Sequence, residues 1–422
     1  MSVATADRDL PTAEARALLD LTRELAVGEL APRADSCERD GTFPRDVLRT
    51  LGAAGLLGLP FPEDYGGGGQ PHAVYLQVVE ELARAWLTVA ESVSVHTLAC
   101  YPLAAHGTEQ QRRRWLPDMV GGTQLGAYCL SEAESGSDAA ALSTRAALHP
   151  GSGGEPAHYC VTGAKYWITH SGHADFYNLM VRTGEPGPRG ISCLLAQADT
   201  PGLTSGPRKR TMGLRGSPVA QVLLDDAVVA ADRLIGGEGQ GFVIAMSALD
   251  GGRLGIAACA VGLAQAALDA AASYAGERTA FGQPIGAFQG VSFMLADMAT
   301  GIAAGRALYL DAARRRDQGQ PYSHHAAMAK LFCTDMAMRV TTDAVQVLGG
   351  VGYTEDFPVE RYMREAKVLQ IFEGTNQIQR VVIAKSLLGN SAPVGDSAAR
   401  FLSHGFHQSL PAMPEPGPDR PG

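Results

Sequence analysis

The sequence lacks any pairing pattern among its cysteines. The seven cysteines are odd in number, lie scattered through 422 residues and never form a C-x-x-C. This usage argues against a disulfide framework and against a zinc site, and it indicates reduced thiols in the cytoplasm. The histidine pairs His170/His173 and His324/His325 have no cysteine or acidic residue at metal-ligand spacing, so no metal is expected.

Positive charge and long apolar runs are also scarce. The net charge of -9 and the pI near 5.7 speak against a nucleic-acid partner, because no broad basic surface would offset phosphate repulsion. No run of about 18 uncharged apolar residues occurs, so no membrane span is expected. The N-terminal segment is acidic and has no apolar run, unlike a secretory signal or a transit peptide, and a cytoplasmic protein is therefore expected.

Two common signatures of catalysis and cofactor binding are missing as well. No G-x-S-x-G occurs, which removes the usual signal of a serine hydrolase. The glycine-rich stretch "GGEGQG" at 236–241 lacks G-x-G-x-x-G spacing and has no βαβ pattern around it. A Rossmann dinucleotide site is therefore not predicted.

The pattern of apolar residues predicts three domains in the order helices, sheet, helices. From about residue 12 to 121, apolar residues recur at spacings of three and four residues, as in helices. Short segments rich in strand-forming residues follow, such as "HYCVTGAKYWIT" and "FYNLMVR". Helical segments then return at 240–276, 289–317 and 323–348. We predict an α+β multidomain fold, with an N-terminal helical domain at 1–122, a middle antiparallel β domain at 123–238, a C-terminal four-helix-bundle domain at 239–390, and a partly disordered tail at 391–422.

Two stretches of the β domain have the composition of a ligand site. "YCLSEAESGSDAAAL" brings Ser131, Gly136 and Ser137 into a loop where backbone N–H groups and hydroxyls would approach a polar ligand. A plain Ser/Gly-rich loop is the equal alternative. "KYWITH" places Trp167 and Thr169 on one face of a strand. Most strand tryptophans are core residues, and the alternative is a wall against a flat ring.

Glycines interrupt the helical pattern of the C-terminal domain. In "ALDGGRLGIA" each glycine lowers helix stability by about 1 kcal/mol relative to alanine. Either close helix packing or the passage of a ligand near Asp250 and Arg253 would explain why glycines occur here. Arg253 either pairs with Asp250 or Asp269 or holds a ligand. In "GERTAFGQPIGAFQG" an arginine in an acidic chain is a candidate for diphosphate binding. "QVLGGVGYTED" is either a helix stop or room for a nucleotide.

One carboxylate stands at the entrance of a helix in "QIFEGTNQIQR". Glu373 follows the apolar Ile371 and Phe372 and precedes a Gly-Thr pair. By itself the stretch fits a surface charge at least as well as a catalytic base.

The order and spacing of these motifs resemble the acyl-CoA dehydrogenase family. The resemblance implies the family's three-domain fold, FAD as cofactor and a homotetramer built as a dimer of dimers. It implies FAD contacts at Tyr128, Leu130, Ser131, Gly136, Ser137, Trp167, Thr169, Arg278, Phe281, Gln289, Gln346, Gly349, Gly350, Thr375 and Gln377, of which the set from Arg278 to Gly350 reaches the ADP half in a neighbouring subunit. It implies substrate contacts at Ser137, Asp250, Arg253 and Gly374.

The resemblance also implies a reaction. Glu373 would take the α-proton of an acyl-CoA while a hydride leaves the β-carbon for flavin N5, giving a trans-2-enoyl-CoA and passing electrons to an electron-transferring flavoprotein. The sequence departs from the family pattern at Ala133, Glu134 and Ser135, which stand in a usually neutral Pro-Gly-Ala stretch, and at Phe372, where a tyrosine is usual. Gly252 occupies the position where some relatives carry their base, which is consistent with Glu373 in that role.

Three other functions stay open at this point. A dehydrogenase of carrier-protein-bound acyl groups would keep Glu373, a flavin monooxygenase on the same fold would not need it, and a non-enzymatic scaffold would need none of the site. Acyl chain length depends on pocket depth, which motifs do not give. The overall pattern is most similar to short-chain and branched short-chain members of the family.

Overall fold

Two groups of helices enclose one β-sheet in the computed structural model, which describes residues 8–151, 154 and 156–388. The predicted tail at 391–422 lies outside the described residues. The N-terminal helices are α1 (Ala13–Leu25), α2 (Ala31–Asp40), α3 (Arg45–Ala53), α4 (His72–Ala85), α5 (Leu87–His106) and α6 (Glu109–Val120). A π-helical turn, Ala26–Leu30, joins α1 to α2.

Local sequence signals account for where these helices begin. Thr108 and Gln111 form a capping box at α6, in which each side chain accepts a hydrogen bond from the other's backbone N–H. The carboxylate of Asp317 caps α4 from a distant part of the chain, accepting from the N–H groups of His72 and Ala73 at 2.7 and 3.0 Å. The cap on α4 therefore joins the N-terminal and C-terminal helices.

The middle of the chain forms an eight-stranded sheet in the order β6, β7, β3, β2, β4, β5, β8, with β1 paired to β4. Its strands are β1 (Gly126–Cys129), β2 (Arg145–His149), β3 (His158–Thr169), β4 (Phe176–Arg182), β5 (Ile191–Gln197), β6 (Leu203–Ser205), β7 (Val219–Ala230) and β8 (Leu234–Ile235). Most neighbours are antiparallel, as predicted. The parallel pairing of β1 with β4, and of β2 with β4 at one position, was not predicted.

The C-terminal part is built around one long buried helix, α7. Its elements are α7 (Gly241–Glu277), a two-stranded hairpin of β9 (Thr279–Ala280) and β10 (Gln283–Pro284), α8 (Gln289–Asp317), α9 (Ser323–Leu348), α10 (Val359–Leu369) and α11 (Asn376–Leu388). α7 packs against α8 and α9 on one side and against α4 and α5 on the other. The predicted order of helices, sheet and helices is thereby confirmed, and the residue boundaries of the domains stay predictions.

Two helices, α7 and α8, are long and apolar enough to cross a membrane by length and composition. In α7 the most apolar window is 89% buried within the protein, as befits a core helix. The corresponding window of α8 is only 17% buried, so α8 presents apolar side chains on the outside of the chain.

Candidate active site

Glu373 lies in the short loop between α10 and α11, in a backbone conformation that side chains disfavour. Its φ is +55° and that of the following Gly374 is +86°. A left-handed conformation costs a non-glycine residue about 1 to 2 kcal/mol, so the surroundings must hold the loop in place. Two side chains do so, because Gln379 Nε2 and Lys330 Nζ donate to the Gly374 carbonyl at 2.8 and 2.9 Å.

The carboxylate of Glu373 has the properties of a base near neutral pH. Its Oε2 is buried and accepts no hydrogen bond from any described residue. Burial raises the pKa of Glu373 to about 7, against the opposing charges of Arg253 and Lys330 and with a small contribution from Glu91. A carboxylate with this pKa binds a proton much more readily than one in water.

Lys330 of α9 is a functional residue that the sequence did not reveal. It is fully buried, and its Nζ also donates to Asn376 Oδ1 at 2.8 Å. Burial lowers the pKa of Lys330 to about 7, although the nearby Glu373 favours its charged form. In the sequence it is one lysine in an amphipathic helix, where a solvated position is the ordinary expectation.

The glycines of α7 make room for the base and for α5. A Cβ added at Gly252 would collide with the Glu373 carboxylate, and one added at Gly255 would collide with the hydroxyl of Ser94 on α5. Gly255 therefore serves close helix packing, the first explanation offered by the sequence, and Gly252 leaves room for the Glu373 carboxylate. Passage of a ligand along this part of α7 stays a prediction.

Asp250 and Arg253 form an ion pair on α7, with 2.6 Å between Asp250 Oδ1 and Arg253 Nη1. Ser323 also donates to Asp250, at 2.9 Å. Burial raises the pKa of Asp250, partly offset by Arg253. Arg253 Nε stays buried and unpaired among the described residues, and the charge of Arg253 acts on Glu373.

The loop after β1 is fixed by a buried carboxylate, Glu132. It accepts from the backbone N–H groups of Ser143 and Thr144 at 2.6 and 3.0 Å and from Lys165 Nζ at 2.7 Å. Lys165 also donates to the Leu130 carbonyl at 3.3 Å. These bonds order the polypeptide around the residues predicted to contact a cofactor, with Leu130 buried, Ser131 half-buried, and Gly136 and Ser137 exposed.

The departures from the family pattern in this loop have distinct positions. Ser135 is buried and its hydroxyl donates to the Asp138 carbonyl at 2.7 Å, while its N–H and carbonyl bond with those of Glu132. Ala133 and Glu134 are exposed. Ser135 therefore stabilises the turn, whereas Ala133 and Glu134 alter only its outer surface.

Trp167 is not a core residue, although a strand tryptophan usually is. Its side chain is 66% exposed and its φ is +62°, at an irregularity of β3 between Lys165 and Ile168. An exposed indole in a disfavoured backbone conformation requires a reason outside the fold of the chain itself. Thr169, two residues further along β3, is half-buried and donates to Glu91 at 3.3 Å.

Glu91 of α5 is another buried carboxylate that the sequence did not reveal. It accepts from Thr169 and, at 3.0 Å, from Ser217. Burial raises the pKa of Glu91 to about 7, against these two hydrogen bonds. Tyr128, another predicted cofactor contact, donates to the Ala245 carbonyl at 3.2 Å, and its pKa is raised by burial, by Cys193 and by the Glu373 carboxylate.

The predicted contacts to the ADP half of a cofactor lie elsewhere. All of them are exposed, namely Arg278, Phe281, Gln289, Gln346, Gly349 and Gly350. Because an α-helix rises about 1.5 Å per residue, Arg278 lies about 37 Å beyond Arg253 along α7. One chain therefore does not bring this set together with Glu373.

Phe281 is the most exposed of these residues. It occupies the tip of the β9–β10 hairpin with 97% of its surface exposed and a φ of +52°. Its ring meets Phe288 edge-on, 6.1 Å between centroids. Thr375 and Gln377 instead stay close to the base, since the Thr375 hydroxyl accepts from the N–H of Ile378 at 3.2 Å and Gln377 lies on the exposed side of α11.

The order of helices, sheet and helices is that of an oxidoreductase of the three-domain dehydrogenase class. Sequence models of the acyl-CoA dehydrogenase N-terminal, middle and C-terminal domains match residues 12–123, 127–227 and 239–388. The chain belongs to the acyl-CoA dehydrogenase family and is an enzyme that acts by dehydrogenation. Members of this family are flavoproteins that use FAD.

Three known proteins show how similar the chain is to its relatives. An acyl-CoA dehydrogenase of Bacillus subtilis is 43% identical over 88% of this chain and 97% of its own length. The butyryl-CoA dehydrogenase structure from Megasphaera elsdenii is 39% identical with a TM-score of 0.87, covering 91% of this chain and 100% of its own. A chain in the electron transferring flavoprotein structure of Acidaminococcus fermentans is 40% identical with a TM-score of 0.87, covering 92% and 100%.

Proposed function

We propose that this enzyme oxidises a short-chain acyl-CoA to the trans-2-enoyl-CoA, with Glu373 as the base that removes the α-proton. The observation that carries the proposal is the buried, unpaired Oε2 of Glu373, which lies against Gly252 at the wall of a pocket. A carboxylate held ready without a partner fits a proton that arrives with the substrate. The likeness to butyryl-CoA dehydrogenase supports a short acyl chain.

The residues around β1 and β3 fit FAD as the cofactor. Exposed Trp167 offers a flat wall, Gly136 has open space where a side chain would stand, and Ser131, Ser137 and Thr169 offer hydroxyls. When bound, FAD supplies the acceptor for the hydride that leaves the β-carbon. Placing the flavin against Trp167 and Thr169 would account for the exposure and backbone strain at Trp167.

The backbone beside the base is suited to stabilise the negative charge that develops on the thioester. The N–H of Glu373 makes no hydrogen bond with any described residue. An N–H group that points at a carbonyl oxygen stabilises an enolate-like transition state in a site closed to water. Lys330 and Gln379 bind the adjoining carbonyl and thereby keep this N–H oriented while Glu373 takes the proton.

The rate should depend on pH through the ionisation of Glu373. The base works only when deprotonated, so kcat/KM is expected to rise with pH through an inflection near 7. Initial rates with a saturating artificial electron acceptor, from about pH 4 to about pH 9, give the profile. An inflection at the ordinary glutamate value of 4.5 would show that burial does not control the base.

A panel of thioesters tests the reaction itself. Purified enzyme is incubated with butyryl, isobutyryl, isovaleryl and octanoyl thioesters and an artificial electron acceptor, and 2-enoyl products are measured by mass spectrometry. The short thioesters should be oxidised and octanoyl should be poor. If only acyl groups on a carrier protein are oxidised, the substrate is a carrier-protein thioester and not an acyl-CoA. If oxygen is consumed without an enoyl product, the enzyme is a monooxygenase and not a dehydrogenase.

We further propose that the active enzyme is a homotetramer in which two subunits complete each FAD site. Three observations support this assembly, namely the outward apolar surface of α8, the exposed phenyl ring of Phe281 and the distance along α7 between Arg278 and Arg253, whose charge acts on Glu373. An exposed hairpin with an aromatic tip and a nearby arginine suits docking onto a neighbour and its diphosphate. The neighbour's arginine would then serve this chain's FAD.

Two further assignments complete the proposal. The likeness to a chain of the electron transferring flavoprotein structure supports such a flavoprotein as the electron acceptor. The seven unpaired cysteines support a reducing compartment, and we propose the cytoplasm.

A further inference from the structure

A small pocket lies beside Gly252 of α7 and reaches the start of α4 and the end of α8. It encloses about 350 Å³, counting the space at its open mouth. Gly252 forms part of its wall, and Gly252 is the residue whose missing side chain gives room to the Glu373 carboxylate. The pocket therefore adjoins the place where an α-carbon must lie to be deprotonated, and it is where the rest of the acyl group would be buried.

The lining of this pocket is more polar than an alkyl chain requires. Tyr75, Ser94, Thr97 and Tyr101 contribute hydroxyl groups. Thr97 is 8% exposed, and its hydroxyl oxygen is buried without a hydrogen-bond partner among the described residues. Because a buried polar group without a partner costs about 1 to 3 kcal/mol, these hydroxyls favour a ligand that carries polar atoms.

Arg316, at the C-terminal end of α8, brings a positive charge to the same pocket. Its Nη1 donates to Nε2 of His72 at 2.8 Å. The guanidinium also lies over the rings of Tyr101 and Tyr322, at 5.7 and 5.6 Å from their centroids. These contacts fix the direction of the group. The Asp250 carboxylate is close enough to interact with its charge, but among the described residues it forms no ion pair with Arg316.

No carboxylate within the described residues forms an ion pair with Arg316. The adjacent Asp317 is engaged at the N-terminus of α4, and Asp250 is engaged by Arg253 and Ser323. His72 is a neutral acceptor, because burial and the Arg316 charge keep its pKa well below the usual value. The pocket thus offers a fixed cation to whatever enters it.

We infer that the acyl group of the substrate ends in a carboxylate, which Arg316 binds. The substrate would be the CoA monothioester of a short dicarboxylic acid, and this inference rests on the proposed dehydrogenase function. The reaction is unchanged by the end group, since Glu373 takes the α-proton, FAD accepts the hydride from the β-carbon, and the terminal carboxylate only binds. Arg316 is in this reading a residue that determines specificity.

The short distance between base and cation limits the length of the acid. A Cβ at Gly252 would meet the Glu373 carboxylate, and one at the preceding Gly251 would meet Nη1 of Arg316. Because consecutive Cα atoms are about 3.8 Å apart, the Glu373 carboxylate and the Arg316 guanidinium lie beside adjacent residues of α7. A short diacid of about four or five carbons suits two charged groups this close together.

Two thioesters of equal carbon number test the inference. Glutaryl-CoA and pentanoyl-CoA differ only in a terminal carboxylate against a terminal methyl, and kcat/KM is measured for both. The unmodified enzyme should prefer glutaryl-CoA. Arg316→Met should lower kcat/KM for glutaryl-CoA at least about tenfold, the effect of losing a charged hydrogen bond, and leave pentanoyl-CoA within about twofold.

Arg315→Met is the matched control, because Arg315 lies on the same turn but pairs with Asp311 at 2.9 Å. It should leave both substrates unchanged. Binding of glutaryl-CoA by titration calorimetry should weaken in Arg316→Met and not in Arg315→Met, while melting temperatures confirm that both variants fold.

The outcomes separate this inference from the proposed function. A preference of the unmodified enzyme for pentanoyl-CoA, or an equal loss on both thioesters in Arg316→Met, overturns the carboxylate site while dehydrogenation stands. Equal loss would place the arginine against the CoA portion that both substrates share. If neither thioester nor any other acyl-CoA yields an enoyl product, the proposed function fails, and the inference fails with it.

Discussion

Glu373→Gln is expected to abolish most of the turnover while leaving the cofactor bound. Glutamine keeps the size and the backbone of the loop but does not take a proton, so kcat should fall at least about 100-fold, the low end for the loss of a general base. FAD should remain, because the residues that fit it lie mainly on β1, β3 and the loop after β1. Stopped-flow reduction of the bound flavin by substrate measures the chemical step directly.

Glu355→Gln is the matched control, since it makes the same charge change at an exposed position outside the site. It should reduce flavin at the unmodified rate. Near-normal flavin reduction in Glu373→Gln would remove Glu373 from the mechanism, whereas loss of the flavin colour would point to a structural role for this loop.

The same substitution should change how stability depends on pH. The folded pKa of Glu373 is raised to about 7 above an ordinary 4.5, so its contribution to stability is fully present below 4.5 and is lost as pH rises through 7. Glutamine does not ionise and loses nothing over that range. Above neutral pH the variant should therefore melt at the same or a higher temperature than the unmodified enzyme.

Lys165→Met is expected to produce the largest loss of stability. Lys165 is fully buried beneath the loop after β1, and its removal leaves the Glu132 carboxylate, 6% exposed, without its cation. Breaking a buried pair in this way costs about 3 to 5 kcal/mol of the free energy of unfolding. Urea unfolding monitored by circular dichroism measures it, and FAD affinity should fall as the loop loosens.

A second substitution identifies the cause. Adding Glu132→Gln to Lys165→Met removes the unpaired charge, so much of the lost stability should return. Lys209→Met, at a partly exposed lysine, serves as control and should have little effect. If the double variant is no more stable than the single one, the packing of the lysine stem and not its charge supports the loop.

The pair also sets the response to acid. Burial by itself would raise the pKa of Glu132, but Lys165 outweighs it and lowers the pKa to about 2. The stability contributed by this carboxylate is therefore present above its ordinary value of 4.5 and is lost as pH falls toward 2. Lys165→Met should show a weaker loss of stability over the same acidic range.

Much of the fold could be predicted from the periodicity of the sequence. The ends of the helices α7, α8 and α9 lie within a residue or two of the predicted ends. A long segment in which apolar residues recur at spacings of three and four residues is compatible with few structures other than a helix. The direction of strand pairing could not be predicted in the same way. Alternation within "GAYC" indicates a strand, but nothing within it specifies parallel pairing with β4, which tertiary packing decides.

Some residues of the candidate site could likewise be predicted from the sequence, and others could not. Glu373 and the loop after β1 have local signals, because a carboxylate before a helix and a loop rich in serine and glycine can be recognised in the sequence itself. Lys330 and Glu91 carry none, because their roles come from burial against residues far away in the chain. Trp167 shows the reverse case, in which a sound general preference for burial is overridden by a backbone irregularity that turns the side chain outward.

The position of α7 has a consequence for how this enzyme could evolve. The helix is at once the centre of the bundle, the support of α4 and α5, and the wall that gives the base its space, so substitutions along it would disturb folding and catalysis together. Tyr101 and Arg316, on neighbouring helices, border the same cavity but are only partly buried. Substitutions at these two positions can therefore change substrate preference in a lineage while α7 stays almost unchanged.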